Sequence, residues 1–322
     1  MKIFVSGGTG FIGSYLVRRL LADGHDVLAL VRSLKAVEKI RELGAEPVEG
    51  DLSVPGQWQD SVGECDSVVH CAAMVGDWGS KIEFWNVNVE GTRHMVEAAA
   101  GKVDRFVHIS SIAAHRGQGL RNESTQAIRG GHPYSDTKAA AEEVVEGAVE
   151  EGLNAQLVRV ANVYGPGDPH VLPRILEQVS RGSFVIVGDG SQPSSMIYID
   201  DVVDAISAIL MTDCEPGERF LVTDQNAPAI REAIQIAFGA LDIEPKIIRL
   251  PKWLAMLVAA LSHAFAFITG KRPMLTFYAV YSVSNVRTLV NDLTMERLLW
   301  SPKVDFREGV KRTVSWWKET AG

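Results

Sequence analysis

Short apolar runs alternate with helix-length amphipathic stretches through the first half of the chain. Lys2–Ser6, Asp26–Val31, Ser67–Cys71, Arg105–Ser110 and Ala155–Ala161 are rich in Val, Ile, Leu and Phe and predict strands. Between them, Gly10–Asp23, Lys35–Leu43, Ile82–Ala100 and Pro133–Glu150 repeat apolar residues at helical spacing. Strands that are apolar throughout, each followed by a helix, predict an α/β chain with a doubly wound parallel sheet covered on both faces. Beyond Gly165 the pattern loosens. Short strands at Phe184–Val187 and Arg219–Val222, with helices at Asp201–Met211 and Ala227–Phe238, predict a smaller C-terminal α/β lobe. The expected division is 1–165 for the sheet domain and 166–322 for a substrate lobe interleaved with it.

Composition narrows the class. With 46% hydrophobic and 22% charged residues in 322, the chain can bury a large core, and its net charge of -8 offers no basic patch for nucleic acid. Cys65, Cys71 and Cys214 form no CxxC pair and predict buried thiols in a reducing compartment. The histidines have no metal-ligand spacing, and His70 and His108, in strand patterns, are expected as hydrogen-bonded core residues. Residues 2–6 already form the first strand, so no leader is expected before the fold and the cytoplasm is the expected location. Leu250–Thr269 is almost wholly apolar but carries Ser262 and His263. It is expected as a buried or substrate-covering helix, with contact to a membrane surface as the alternative.

The first strand runs into S-G-G-T-G-F-I-G, residues 6–13. Gly7, Gly10 and Gly13, with Gly8, Thr9, Phe11 and Ile12 between them, form a strand-to-helix turn whose bare backbone and helix N-terminus suit a dinucleotide pyrophosphate. The second strand ends in Arg32, where an acidic residue would favour NAD. Arg32 either pairs the 2'-phosphate of NADP, with Lys35 adding charge, or points to solvent; NADP is the expected cofactor and NAD the alternative. Asp51 and Leu52 are placed at the adenine edge, ending the third strand, and Ala72 and Ala73 leave room for the cofactor backbone.

Tyr134 and Lys138 are four residues apart, about one helical turn, so phenol and ammonium share a helix face. A cation there is expected to lower the phenol pKa toward working pH, as proton exchange at a carbonyl requires. In isolation such a pair is usually a surface pair; its position downstream of a glycine loop and of Ser110-Ser111 changes that.

In order along the chain stand Gly7-x-x-Gly10-x-x-Gly13, Asp51-Leu52, H-C-A-A at 70–73, N-V-E-G-T at 88–92, Ser110-Ser111, Tyr134-x-x-x-Lys138, N-V-Y-G-P-G-D at 162–168 and Y-I-D-D-V-V-D-A at 198–205. This set resembles the extended short-chain dehydrogenase/reductase family across essentially the whole chain. The resemblance implies a Rossmann fold and no metal. It implies that Ser111 hydrogen-bonds the substrate oxygen, with Ser110 as runner-up, that Tyr134 passes the proton, and that Lys138 binds the nicotinamide ribose. Asn162 and Val163 are expected beside the cofactor. Asn88 braces the active-site helix or relays protons, or is a helix-start cap. A homodimer pairing 82–100 with 133–150 is also implied.

Members acting on nucleotide sugars carry R-D before the V-Y-V-D-D segment, whereas here Ser194-Ser195 precedes M-I-Y-I-D-D. Losing that cation removes an anchor for a diphosphate, and the apolar stretch holding Trp253, Met256, Leu257, Phe265 and Phe267 favours a hydrophobic substrate. M-V-G-D-W-G at 74–79 and G-P-G-D-P-H-V-L-P-R at 165–174 look similar to the 3-beta-hydroxysteroid dehydrogenase-like and 2-alkyl-3-oxoalkanoate reductase branch. Trp78 and His170 either line the pocket or stabilise turns. The expected activity is interconversion of a secondary alcohol and ketone on a small hydrophobic substrate. The rivals are a nucleotide-sugar epimerase or dehydratase and a nonenzymatic NADP sensor.

Overall fold

The computed structural model describes residues 1–115 and 117–321. The chain begins β1 (Lys2–Ser6), α1 (Phe11–Ala22), β2 (Asp26–Val31), α2 (Leu34–Leu43), β3 (Glu46–Glu49), α3 (Trp58–Val62), β4 (Ser67–His70), α4 (Lys81–Trp85), α5 (Gly91–Ala99) and β5 (Arg105–Ser111). It continues through β6 (Gly119–Arg121), α6 (Pro133–Glu150), β7 (Ala155–Val160), β8 (Asn162–Tyr164), α7 (Leu172–Ser180), β9 (Phe184–Val187), β10 (Met196–Tyr198), α8 (Ile199–Met211) and β11 (Arg219–Val222). It closes with α9 (Ile230–Ala240), β12 (Ile247–Leu250), α10 (Lys252–Thr269), α11 (Phe277–Ser284), β13 (Arg287–Leu289), α12 (Asp292–Leu298) and α13 (Phe306–Ala321).

Seven strands make one parallel sheet in the order β11-β7-β5-β4-β1-β2-β3. β4 and β7 are buried along their whole length, which is why they are mainly apolar on both faces, with Ser67, His70, Gln156 and Arg159 as buried polar exceptions. On one side Leu16, Val17 and Leu20 of α1 pack with Val202 and Ile206 of α8. On the other, Met95 and Val96 of α5 and Val145 of α6 pack over Phe4 and Leu28. Strand order reverses between β1 and β4, and the turns leaving these two strands open a crevice at the carboxyl edge of the sheet.

Two expectations about the second half change. Arg219–Val222 is the edge strand of the main sheet, paired with β7, rather than a strand of the smaller lobe. Helix α8 likewise belongs to the sheet layer, where Lys303 and Arg19 pair with its Asp204 and Ser207 bonds Asp23 of α1. Helix α8 and β11 thus continue the winding of the main sheet beyond residue 165. The smaller lobe is built from two-stranded pairs, β9 with β12 and β8 with β10, and from α7, α9, α10 and α11. The third strand also stops at Glu49, before Gly50-Asp51-Leu52. The helix expected over 82–100 is continuous but bulges into a π-turn at Asn86–Glu90.

Candidate active site

The glycine loop is shaped by close approach. Gly7 has φ +74, and a Cβ there would lie 2.8 Å from the backbone of Ala72 on the neighbouring strand's turn. A Cβ on Gly13 would lie 2.1 Å from the Gly7 carbonyl oxygen. Helix α1 begins at Gly10 with no side-chain cap, so its first-turn N–H groups face the crevice uncovered. This cradle, which any Cβ would fill, fits a dinucleotide pyrophosphate. Tyr15 donates 2.8 Å to the Pro166 carbonyl, fastening α1 to the G-P-G-D loop. Below the loop, the Ser6 hydroxyl meets His70 Nδ1 at 2.6 Å and accepts from the Ala72 N–H at 3.2 Å, while His70 Nε2 meets Thr92 Oγ1 at 3.0 Å. Burial pushes His70 down to about 3, so it is neutral here.

At the end of β2, Arg32 and Lys35 are exposed. Asp51 lies near Arg32; its carboxyl is held low chiefly by hydrogen bonds from Ser53 and also by the Arg32 charge. Lys39, which the sequence reading did not single out, donates 2.8 Å to the Thr9 carbonyl and brings a further cation to the glycine loop. Its spacing, one turn after Lys35, was the available signal. The Leu52 side chain is buried in the core beneath Gly91, so only its backbone could meet a cofactor at the adenine edge. Ala72 and Ala73 are half-buried at the crevice wall. Asn162 and Val163, on β8, pair with β10, and the Asn162 amide donates to the Ser194 carbonyl at 3.2 Å.

Tyr134 opens α6 behind Pro133, a residue suited to a first helical turn. Ser111, ending β5, lies beside the Tyr134 phenol, close enough to lower its pKa, and its Oγ accepts from the Ala113 N–H at 3.1 Å. Ser110 is buried and committed to Glu142, which leaves Ser111 as the serine facing the tyrosine. The shared helix face of Tyr134 and Lys138 does not have the expected electrostatic result. Burial pushes the phenol up to about 12, opposed by the neighbouring Ser111, and Lys138 is not among the groups that shift it. The Lys138 ammonium instead donates to the Ile109 carbonyl at 2.8 Å. Burial lowers Lys138 to about 8, with Glu142 as the leading opposing charge.

Asn88 is no helix-start cap. It sits buried inside the π-turn, where its Oδ1 accepts from the Met74 N–H at 2.6 Å. Its Nδ2 donates to the Met74 carbonyl at 3.0 Å and to Thr137 Oγ1 at 2.9 Å. Thr137 in turn donates back to the first turn of α6, so Asn88 ties the loop after β4 to the segment that carries Tyr134. Beneath α6, Glu142 and Arg159 form a fully buried ion pair, Nη2 to Oε2 at 2.6 Å, and Arg159 also donates to the carbonyls of Glu123 and Thr125.

The lobe roofs this corner. His132 stacks on Tyr278 with ring centroids 3.7 Å apart, and the Ser135 hydroxyl lies 3.4 Å from the Tyr278 hydroxyl. Trp78 meets His263 edge-on at 5.6 Å, and His263 stacks on Phe277 at 4.5 Å. Asp77 pairs with Arg272 and accepts from Thr276 at 3.1 Å, strapping the loop after β4 to the start of α11. His170 is exposed, close enough to Asp168, Arg174 and Arg272 to feel their charge. Tyr278 and His132 were not anticipated, since their meeting is a matter of tertiary packing alone. Helix α10 is not the buried helix expected: it buries Ala255, Ala259 and Ala266, and its large side chains face outward.

A dinucleotide cradle at the sheet's switch point, with serine, tyrosine and lysine gathered at its rim, defines a nicotinamide-dependent enzyme of the Rossmann type. The chain belongs to the NAD dependent epimerase/dehydratase family, whose model matches residues 3–222, and is an extended short-chain dehydrogenase/reductase. It is 36% identical over 256 residues to a 2-alkyl-3-oxoalkanoate reductase of Stenotrophomonas maltophilia, covering 74% of this chain and 76% of that one. It is 28% identical over 322 residues to the 4-hydroxy-2-methyl-3-oxo-4-farnesyl-3,4-dihydroquinoline-1-oxide ketoreductase of Stigmatella aurantiaca, covering 96% and 95%. Among solved structures, UDP-glucuronic acid 4-epimerase from Bacillus cereus in complex with NAD shares the fold, with TM-score 0.79 and 22% identity over 99% of this chain and 97% of that one.

Proposed function

We propose that this protein is an NADP-preferring oxidoreductase that interconverts a secondary alcohol and a ketone on a hydrophobic substrate. The observation that carries this reading is the ring cluster beside the start of α6, where His132 stacks on Tyr278 close to Tyr134 and Trp78, His263 and Phe277 pack together, the one nearby guanidinium, Arg272, being taken up by Asp77. A substrate seated there meets apolar faces, and the position before Met196 holds serines in place of a guanidinium that would grip a diphosphate. Both named reductase relatives act on ketones attached to alkyl or farnesyl groups, which supports the same direction.

In this scheme the bound cofactor supplies or takes up the hydride. The Ser111 hydroxyl donates a hydrogen bond to the substrate oxygen, polarising it. The Tyr134 phenol, kept neutral by burial, gives its proton to that oxygen as the alcohol forms and takes it back in the reverse direction. Lys138, fixed by the Ile109 carbonyl, offers its ammonium to the ribose beside the tyrosine. Asn88, through Thr137, holds the start of α6 so that the phenol does not drift from Ser111. Arg32 and Lys39 frame the site of the 2'-phosphate, with the Ser33 cap fixing the turn between them. We assign the enzyme to the cytoplasm, as a homodimer joined through 81–99 and α6, where Ile82 is exposed.

The test is reduced-cofactor absorbance with NADPH or NADH against 2-alkyl-3-oxo acids, 3-oxo steroids and UDP-sugars. The reading expects net oxidation of NADPH with a hydrophobic ketone, and expects Arg32→Asp to shift preference to NADH. Sugar isomers formed without net cofactor turnover would establish the epimerase alternative in its place. Unchanged NADPH preference in Arg32→Asp would remove Arg32 from cofactor selection.

A further inference from the structure

Helix α10 is apolar nearly all round, yet it turns its small residues inward. Ala255 and Ala259 pack on Val280 of α11, while Trp253, Leu257, Leu261, Phe265 and Ile268 form an outward stripe at helical spacing. Phe267 is 93% exposed and Met274, just past the helix, 88%. A monomer rarely leaves so large a contiguous apolar face to water. Charge around it is also unlike the rest of the chain. Residues 245–291 hold Lys246, Arg249, Lys252, Lys271, Arg272 and Arg287 and no carboxylate, within a protein of net charge -8. Arg272 is paired with Asp77, Arg249 lies near Asp189, and Arg287 is turned inward toward the Ile112 carbonyl. Lys246, Lys252 and Lys271 have no ion-pair partner among the described residues, and the last two sit at opposite ends of the stripe.

We propose that α10 docks in the plane of an anionic phospholipid bilayer, apolar stripe in the acyl boundary and Lys252 and Lys271 among the headgroups. An apolar helix face rimmed by cations is the form that binds such an interface. Spanning does not fit. Eighteen residues rise about 27 Å, short of the roughly 30 Å hydrocarbon core. The helix is also fastened to the lobe: Ser262 Oγ accepts from the Leu275 N–H at 3.2 Å, and His263 is held between Trp78 and Phe277. A second copy of the chain fits poorly as occupant, because packing two such faces sets lysines against lysines at the rim. The inference stands apart from which substrate the site takes.

The experiment is flotation of the full chain with vesicles of phosphatidylcholine alone and of phosphatidylcholine with phosphatidylglycerol. The protein is expected to float with the anionic vesicles and to be released by salt. Lys252→Gln and Lys271→Gln should each weaken binding roughly fivefold. Leu257→Glu with Leu261→Glu and Phe265→Glu should abolish it while the thermal transition and NADPH binding stay as in the parent, since all three side chains are exposed. The proposal is overturned if the parent protein stays with the soluble fraction, or if the triple variant still floats. It is equally overturned if the triple variant converts a larger oligomer to a smaller one on gel filtration with flotation unchanged, which would make a second copy the occupant.

Discussion

The crevice at the sheet edge and the α10 face of the lobe obey opposite rules. In the crevice, Ser6–His70–Thr92, Asn88–Thr137 and Ser110–Glu142–Arg159 are hydrogen-bonded sets with almost no exposure. His108, packed beside His70, is not the hydrogen-bonded residue expected, since neither ring nitrogen has a partner among the described residues. On α10, large apolar side chains such as Trp253, Leu261, Phe265 and Phe267 are exposed. A buried donor stripped of its partner costs about 1–3 kcal/mol, so each member of the crevice sets fixes its neighbours. An exposed Phe or Leu imposes no such demand. Chemistry at Tyr134 therefore rests on an over-determined frame, whereas α10 is free to answer to whatever it faces.

The sharpest way to break the frame is at its functional end. Tyr134→Phe keeps the ring beside Phe84 and removes only the hydroxyl that lies beside Ser111. Turnover is expected to fall at least about a hundredfold with NADPH affinity nearly unchanged, measured by steady-state rates and fluorescence titration. Normal turnover would take Tyr134 out of the proton path.

Next in size is the ion pair under α6. Arg159→Met leaves the Glu142 carboxylate buried without its guanidinium, and breaking a pair of this kind costs about 3–5 kcal/mol, read from urea unfolding. Adding Glu142→Gln should recover part of the loss, because the uncompensated charge goes with it. If Arg159→Met alone were as stable as the parent, the buried pair would not be what fixes α6 to β7.

His70 tests the same frame by pH. Its pKa is depressed from 6.5 to about 3 on folding, so between these values the unfolded chain binds a proton that the folded one refuses. Stability is then full above 6.5 and falls as pH drops toward 3, with a slope of at most about 1.4 kcal/mol per pH unit. His70→Gln should flatten that acid limb by one proton's share, leaving the shares of His108 and His115, also depressed by burial. An unchanged limb in acid titrations followed by circular dichroism would mean that His70 does not carry it.

What could be read from the sequence was whatever depends on near neighbours. β1 and β2 fall at their expected bounds because short apolar runs between turn signals, Ile3–Val5 and Val27–Val31, leave little choice. Tyr134 and Lys138 share a helix because spacing alone puts them there. Where the lysine spends its proton was not legible, since the Ile109 carbonyl comes from a strand 29 residues earlier. Arg159 sits in an apolar run that gave no sign of Glu142, and the stacking of His132 on Tyr278 joins segments that only the folded lobe brings together. The placement of Arg219–Val222 was missed for a similar reason: three apolar residues after an arginine specify a strand but not the sheet that receives it. Which face of α10 turns inward, and hence that it is not a buried helix, was not legible because a helix apolar on every side carries no periodicity; Ala255 and Ala259, packed on Val280 of α11, mark the inner face.

The smallest expected effect lies on that face, and it separates the two regions most cleanly. Phe267→Ser removes a large apolar side chain that is 93% exposed, so little burial is lost on folding. Substitutions at such positions usually change stability by no more than about 0.5 kcal/mol. The same truncation at Phe106 or Phe220, both fully buried, should cost about 3–5 kcal/mol through lost transfer energy and the cavity left behind. Urea unfolding in the absence of lipid is therefore expected to leave Phe267→Ser indistinguishable from the parent. A loss of several kcal/mol would mean that Phe267 is covered in solution, by the lobe itself or by another chain, and the contrast between a matched crevice and an open face would no longer hold.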